Sequence, residues 1–190
     1  MKVNARFVTS AAKPTDFPPP AGPEIAIVGR SNVGKSSLIN AMLGTDIART
    51  SRTPGRTRLV NWFEIGARFH LVDLPGYGYA EVSRDLRESW RPLIETYLEK
   101  RDTLAGVVLL IDIRRGPADE ELDFVPWLAQ HDTPVLVVLT KADKLAKTKR
   151  MLEVTRARKV LDLRRDPFAV SAQSGGGVEA LWRAVLQLVP

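Results

Sequence analysis

The 190-residue chain contains no cysteine, which excludes disulfides and thiolate metal sites and suits a reducing compartment. It also lacks any window approaching the roughly 18 to 20 uninterrupted apolar residues that span a bilayer. Its first ten residues have none of the apolar character of a secretory signal. These absences predict a cytoplasmic protein with no membrane partner. No internal repeat occurs, and nothing divides the chain beyond its first 23 residues. At 44% hydrophobic and 26% charged, it has the size and balance of one α/β domain with a single core.

What is present is unevenly distributed. Residues 141–165 hold ten Lys/Arg against three Asp/Glu, an excess of seven in a chain whose total is +6. The basic charge is therefore local, and a local basic face points to a polyanionic partner. At the other end, Pro14, Pro18, Pro19, Pro20 and Pro23 follow a short apolar patch at Phe7-Val8. Prolines lack N–H donors, so a continuous helix or central strand is disfavoured there. Residues 1–23 are expected to form an extended arm along a domain of residues 24–190.

That domain opens with the apolar run Ile25-Ala26-Ile27-Val28 and then Gly29-Arg30-Ser31-Asn32-Val33-Gly34-Lys35-Ser36. The pattern reads as strand, phosphate-binding loop and helix: glycines allow the tight turn, and unpaired N–H groups at the helix start favour anions. Lys35 would place a cation on the β- and γ-phosphates, and the Ser36 hydroxyl would hold Mg²⁺. The helix, Lys35 to Leu43, turns Leu38, Ile39, Met42 and Leu43 inward and stops at Gly44. Thr45 to Arg58 has no apolar periodicity and reads as a functional loop. Thr50, Ser51, Thr53 and Thr57 are all candidate Mg²⁺ hydroxyls in it, and composition does not choose between them.

Two apolar runs, Leu59 to Ile65 and Ala67 to Leu74, meet at Gly66 as an antiparallel hairpin. Val82, Leu86, Trp90, Leu93 and Tyr97 follow at helical spacing, interrupted by Pro92. Strands at 106–113, 135–140 and 168–171 then alternate with helices at 117–130, 148–163 and 177–189. Val107 to Ile111 and Val135 to Leu139 are apolar on both faces, as central parallel strands require. Pro126 is expected to bend its helix, and Met151, Val154, Ala157 and Leu161 to seat the basic one. The fold class is α/β: three layers, with a six-stranded, mostly parallel sheet, one antiparallel edge strand, and helices on both faces.

Ligands bind beyond the carboxyl ends of strands in such sheets, and the remaining chemical motifs all fall there. Asp73 follows a strand and can bind Mg²⁺ directly or through water, while in Asp73-Leu74-Pro75-Gly76 the Gly76 N–H can approach a γ-phosphate unobstructed. Alone, this spacing also describes an ordinary Pro-Gly turn. In Thr140-Lys141-Ala142-Asp143, a carboxylate can accept from guanine N1–H and N2–H₂ while a lysine stem lies across the base. Adenine lacks that donor pair, so such a site rejects ATP. Val170-Ser171-Ala172, at the next strand end, can offer a backbone N–H to the guanine carbonyl.

Together with Ser37, Thr53-Pro54-Gly55-Arg56-Thr57 and the sequence Asp73-Leu74-Pro75-Gly76-Tyr77-Gly78-Tyr79-Ala80, these motifs make the chain resemble the EngB/YihA/YsxC family of bacterial ribosome-biogenesis GTPases. These belong to the translation-factor class of P-loop GTPases. The likeness runs from about Phe7 onward. It implies a GTP-binding, Mg²⁺-dependent GTPase in which Thr57 joins Ser36 and Asp73 as a metal ligand. Gly55, Arg56, Thr57, Arg58 and Leu59 would form a flexible segment over the γ-phosphate, and Lys35, Thr57 and Gly76 would act at the reaction itself. It further implies a role in assembling the large ribosomal subunit, linked to cell division and septum formation.

Ras-like enzymes keep a water-positioning glutamine where this chain has Tyr77, so slow intrinsic hydrolysis is expected. Asn32 resembles the loop asparagine that coordinates K⁺ in related GTPases; it equally suits a turn with an unusual backbone angle. The basic face 141–165 is expected to meet ribosomal RNA phosphates, and the protein to be a monomer. The main alternative is a nucleotide-gated binding module in which turnover is incidental.

Overall fold

The computed structural model describes residues 3–48, 59–77 and 93–190. In chain order these are β1 (Ala5–Ala11), β2 (Glu24–Gly29), α1 (Lys35–Leu43), β3 (Val60–Ile65), β4 (Phe69–Asp73) and α2, described over 93–100. There follow β5 (Leu104–Asp112), α3 (Asp119–Gln130), β6 (Val135–Thr140), α4 (Lys147–Val160), β7 (Phe168–Ala169) and α5 (Val178–Leu188).

Seven strands lie in one sheet in the order β1-β3-β4-β2-β5-β6-β7. From β4 to β7 all neighbours are parallel; β3 alone runs against its neighbours, antiparallel to both β4 and β1. The expected six strands therefore become seven, and the antiparallel strand is covered rather than lying at the edge. The extra strand is β1, from the arm, paired with β3 across Ala5↔Ile65 to Ala11↔Val60 with an irregularity between Phe7 and Thr9. It precedes the first proline, so every residue in it can donate to the ladder. The β3–β4 hairpin turns at Gly66 and Ala67, both at positive φ, with Arg68 N–H donating to Ile65 C=O at 3.0 Å. Such a turn matches the twist of the flanking strands.

The central strands alternate their apolar side chains between two cores. Ile25, Ile27, Val108 and Leu110 pack with Leu38 and Ile39 of α1 and Leu181, Trp182 and Val185 of α5. Ala26, Val28, Val107 and Leu109 pack with Leu93 and Tyr97 of α2, Val125 and Leu128 of α3, and Ala157 of α4. Helices thus cover both faces, the three-layer arrangement expected. Phe17 of the arm meets Trp62 and Tyr97, with ring centroids 5.4 and 5.9 Å away. Beneath them the buried Glu24 carboxylate receives Arg101 at 2.6 Å and the Tyr97 hydroxyl at 2.7 Å, while Arg101 also donates to Pro18 C=O. A buried carboxylate needs such partners to offset its lost hydration.

The seat of α4 differs from expectation. Met151 is 63% exposed, as is Leu152, and the helix rests chiefly on the buried Ala157, with Val154 half-buried. Leu161 is buried, but it follows the last turn. A small residue brings the helix backbone close to the sheet and leaves a narrow apolar seam, so Met151 falls outside it. Lys147, Lys149, Arg156, Arg158 and Lys159 are exposed, as their charge requires. Pro126 lies inside α3, which runs through it from Asp119 to Gln130. Residues 49–58 and 78–92, including Gly55, Arg56, Thr57, Arg58 and Pro92, lie outside the described residues. Among the described residues, no helix is long and apolar enough to cross a membrane.

Candidate functional site

β2 is buried along its whole length and delivers the chain to Gly29, where a side chain has no room: a Cβ there would sit 2.9 Å from Leu110 O and 3.0 Å from Val33 Cγ1. The loop then curls through Asn32 (φ 62°) and Gly34 (φ 101°). Both angles lie in the left-handed region, which glycine adopts freely and asparagine tolerates. The curl closes with Val33 N–H donating to Arg30 C=O at 3.1 Å, and α1 begins at Lys35. Ser31, Ser36 and Gly34 are half-buried, whereas Asn32 and Ser37 are exposed.

Lys35 is 8% exposed and its ammonium forms an ion pair with Asp73, itself 3% exposed at the end of β4. Neighbouring parallel strands bring the two together across 38 residues. Beyond Asp73 the chain stays beside β2: Leu74 N–H donates to Ile27 C=O at 3.1 Å, and Tyr77 N–H to Gly29 C=O at 3.3 Å. Leu74 and Pro75 are buried. Gly76 lies so close to the loop that a Cβ would be 3.0 Å from Ser31 N.

The segment Thr140 to Asp143 is locked to this loop. Thr140 Oγ1 donates to Val33 C=O at 2.7 Å. Lys141, itself at φ 58°, extends its ammonium to Asn32 C=O at 2.6 Å and to Asp112 Oδ2 at 3.0 Å. Burial pushes the Asp112 carboxyl up, but hydrogen bonds from Arg114 and Lys141 outweigh it and hold it well below the usual carboxylate range. Ala142 is buried, with its N–H on Val170 C=O. Asp143 is exposed and oriented by Ser171 Oγ at 2.6 Å. That hydrogen bond, followed by one from Lys144, holds the Asp143 carboxyl below its ordinary value. Val170 N–H and Ser171 N–H are taken by Leu139 C=O and Gly176 C=O. Of that trio, Ala172 is left with no N–H acceptor among the described residues.

The structure thus gathers Gly29 to Ser37, Asp73 to Gly76, Thr140 to Asp143 and Val170 to Ala172 at one end of the parallel strands. Leu59 is described and exposed just ahead of β3. Four contributors escaped sequence reasoning: the Ser171 hydroxyl, Asp112, Glu120, which pairs with Arg30 at 3.0 Å, and Glu121, which accepts the Tyr77 hydroxyl at 2.5 Å. Each acts across 28 or more residues of separation, where no local pattern can signal it.

Among the described residues no three His, Cys, Asp or Glu side chains cluster as a metal site. A Mg²⁺ site of the expected kind needs only one carboxylate, Asp73, beside hydroxyl oxygens such as that of Ser36, and such hard oxygen donors fit that ion.

A glycine-bearing loop opening on a helix, a lysine–aspartate pair beneath it and the Thr140–Asp143 segment fastened to it are the arrangement of a P-loop GTPase. A family described as 50S ribosome-binding GTPase matches residues 24–141. The probable GTP-binding protein EngB of Pelobacter propionicus is 48% identical over 188 residues, covering 98% of this chain and 94% of its own. Its counterpart in Geobacter sulfurreducens is 47% identical, covering 96% and 89%. The chain belongs to the EngB family of GTP-binding proteins. Among solved structures, a probable GTP-binding protein EngB superposes with TM-score 0.74 at 23% identity, covering 87% of this chain and 98% of that one. Era in complex with MgGDPNP and nucleotides 1506–1542 of 16S ribosomal RNA gives TM-score 0.69 at 29% identity, covering 90% and 57%.

Proposed function

We propose that this protein is a GTP-hydrolysing switch in the assembly of the large ribosomal subunit, with linked effects on cell division and septum formation, acting in the cytoplasm as a monomer. The observation that carries the nucleotide part is the junction of phosphate loop and base-reading segment through Lys141, whose ammonium bridges Asn32 C=O and Asp112. Phosphates would lie on the N–H groups of Gly29 to Ser37, with Lys35 leaving Asp73 to meet the β- and γ-phosphates. Asp143 would accept from guanine N1–H and N2–H₂, held in line by Ser171. Ala172 N–H would serve the guanine carbonyl. Gly76 N–H would meet the γ-phosphate, and residues 55–59 would close over it.

Ser36, Asp73 and Thr57 would hold Mg²⁺, which when bound neutralises charge on the β- and γ-phosphate oxygens. Era, structurally similar at 29% identity, is seen with MgGDPNP and ribosomal RNA, which supports both the metal and an RNA partner. The exposed cations of 141–165 would contact RNA phosphates. Asn32 would take K⁺ through its side chain, since its carbonyl already serves Lys141. Hydrolysis measured in KCl is expected to exceed that in NaCl by about tenfold or more, the range open to one added charge stabiliser; equal rates would remove K⁺ from the account.

A second reading, a nucleotide-gated ribosome-binding module with incidental turnover, is favoured by the Tyr77 hydroxyl, which is engaged by Glu121. Single-turnover hydrolysis with and without large-subunit precursors separates the two readings. A switch is accelerated by the particle, whereas a gated module binds it and hydrolyses no faster.

A further inference from the structure

Glu121 is a buried acid to which the reaction gives no task. It sits in the first turn of α3 and is 1% exposed. Oε2 accepts the Ala118 N–H at 2.8 Å, and Oε1 accepts the Tyr77 hydroxyl at 2.5 Å. A glutamate in a helix's first turn that reaches back to the preceding N–H is ordinary capping, and it needs only one oxygen at the surface. Here the carboxylate has left solvent, which is unfavourable unless both oxygens find donors. The second donor comes from 44 residues away, on the residue that directly follows Asp-x-x-Gly. Burial, followed by the charge of Glu121, pushes the Tyr77 hydroxyl far above its ordinary range, so it remains a donor at any working pH.

The main chain of Tyr77 is stitched to the phosphate loop on both sides. Its N–H donates to Gly29 C=O at 3.3 Å, and its C=O accepts Ser31 N–H at 2.9 Å, extending the parallel β4–β2 ladder. Next to Glu121, Glu120 holds Arg30 at 3.0 Å. The first turn of α3 therefore grips both strands of this short ladder by their side chains, the loop at Arg30 and the following segment at Tyr77. Gly76 is trapped between, against Ser31.

We infer that Glu121 is a positioning residue for GTP hydrolysis: by holding the Tyr77 side chain it keeps Gly76 docked on the phosphate loop, ready for the γ-phosphate. This rests on Gly76 being the γ-phosphate contact. Tyr77 then replaces the missing glutamine with an anchor rather than a water-orienting group. GDP has no γ-phosphate, so the grip matters only for the triphosphate.

The test uses the full chain carrying Tyr77→Phe, Glu121→Met or both, each close in size to the native residue and unable to make the hydrogen bond. Affinities for GDP and for a non-hydrolysable GTP analogue are measured by fluorescence, together with single-turnover hydrolysis. Each single variant is expected to lower analogue affinity and hydrolysis about tenfold, the weight of one hydrogen bond to a charged group, with GDP affinity within about twofold. The double variant should be no worse than the Glu121 variant alone, because the Tyr77 hydroxyl has lost its acceptor there already. Equal losses for GDP and analogue would mean general support of the loop and would overturn the inference. So would multiplicative effects, or wild-type behaviour of either variant. Gly76→Ala, measured alongside, tests the underlying reading separately: if it leaves the preference for triphosphate over GDP unchanged, Gly76 is not the γ-phosphate contact.

Discussion

Replacing Lys35 by alanine should lower kcat/KM for GTP by about a thousandfold or more, the upper range for removing one preorganised stabiliser of developing negative charge. Burial makes the effect large. The ammonium is almost wholly buried, so the low local dielectric strengthens its action on phosphate oxygens. It is also carried by the first turn of α1, so its ion pair with Asp73 is what has to open for it to reach the phosphates. The substitution has a second, separable consequence. Asp73 loses its partner while 3% exposed, and an unpaired buried carboxylate should cost about 3 kcal/mol of stability, read as a lower melting temperature. Adding Asp73→Asn should restore the melting temperature but not hydrolysis. Steady-state kinetics and thermal melting of the single and double variants check both statements, and near-wild-type turnover in Lys35→Ala would contradict the placement of the phosphates.

Asp143→Asn should transfer the base preference from guanine to xanthine. A carboxylate offers two acceptors to the two donors of guanine. An amide offers one acceptor and one donor, and that donor faces guanine N–H groups while suiting the C2 carbonyl of xanthine. Affinity for GTP is expected to fall by about a thousandfold, less than where the unmatched polar group is buried because Asp143 is exposed, and XTP should become the better ligand. Ser171 Oγ can still donate to the asparagine oxygen, so the side chain keeps its direction. Competition of GTP, XTP and ATP for a fluorescent nucleotide measures this. Unchanged GTP preference would show that Asp143 does not read the base.

The central layer was legible because β2, β5 and β6 are apolar on both faces, a pattern that only a covered parallel sheet explains. The loop from Gly29 to Ser36 was legible because its residue types stand at fixed spacing directly after a buried strand, and Gly34 answers to a positive φ within the turn itself. β1 was not, because Phe7-Val8 is a short patch whose partner strand lies more than 50 residues onward, and nothing local announces a pairing at that distance. Met151 was misplaced for a related reason. Helical spacing lists the apolar positions but not the width of the contact, and here Ala157 sets a narrow one. Asp112 and Glu121 look like ordinary strand-end and surface residues in the sequence, and Ser171 is legible there for its backbone N–H rather than its hydroxyl. Only the folded neighbourhood reveals them as the supports of Lys141, Asp143 and Tyr77.

The most direct test of the account is single-turnover GTP hydrolysis by the wild-type protein and by Arg156→Glu/Arg158→Glu/Lys159→Glu, each with and without purified large-subunit precursor. The predicted result is slow hydrolysis by both proteins alone, acceleration of the wild type by the particle, and loss of that acceleration in the charge-reversed protein with GTP affinity intact. The same acceleration should fade as salt is raised, because phosphate contacts release counterions. A wild-type rate that the particle leaves unchanged would contradict the account.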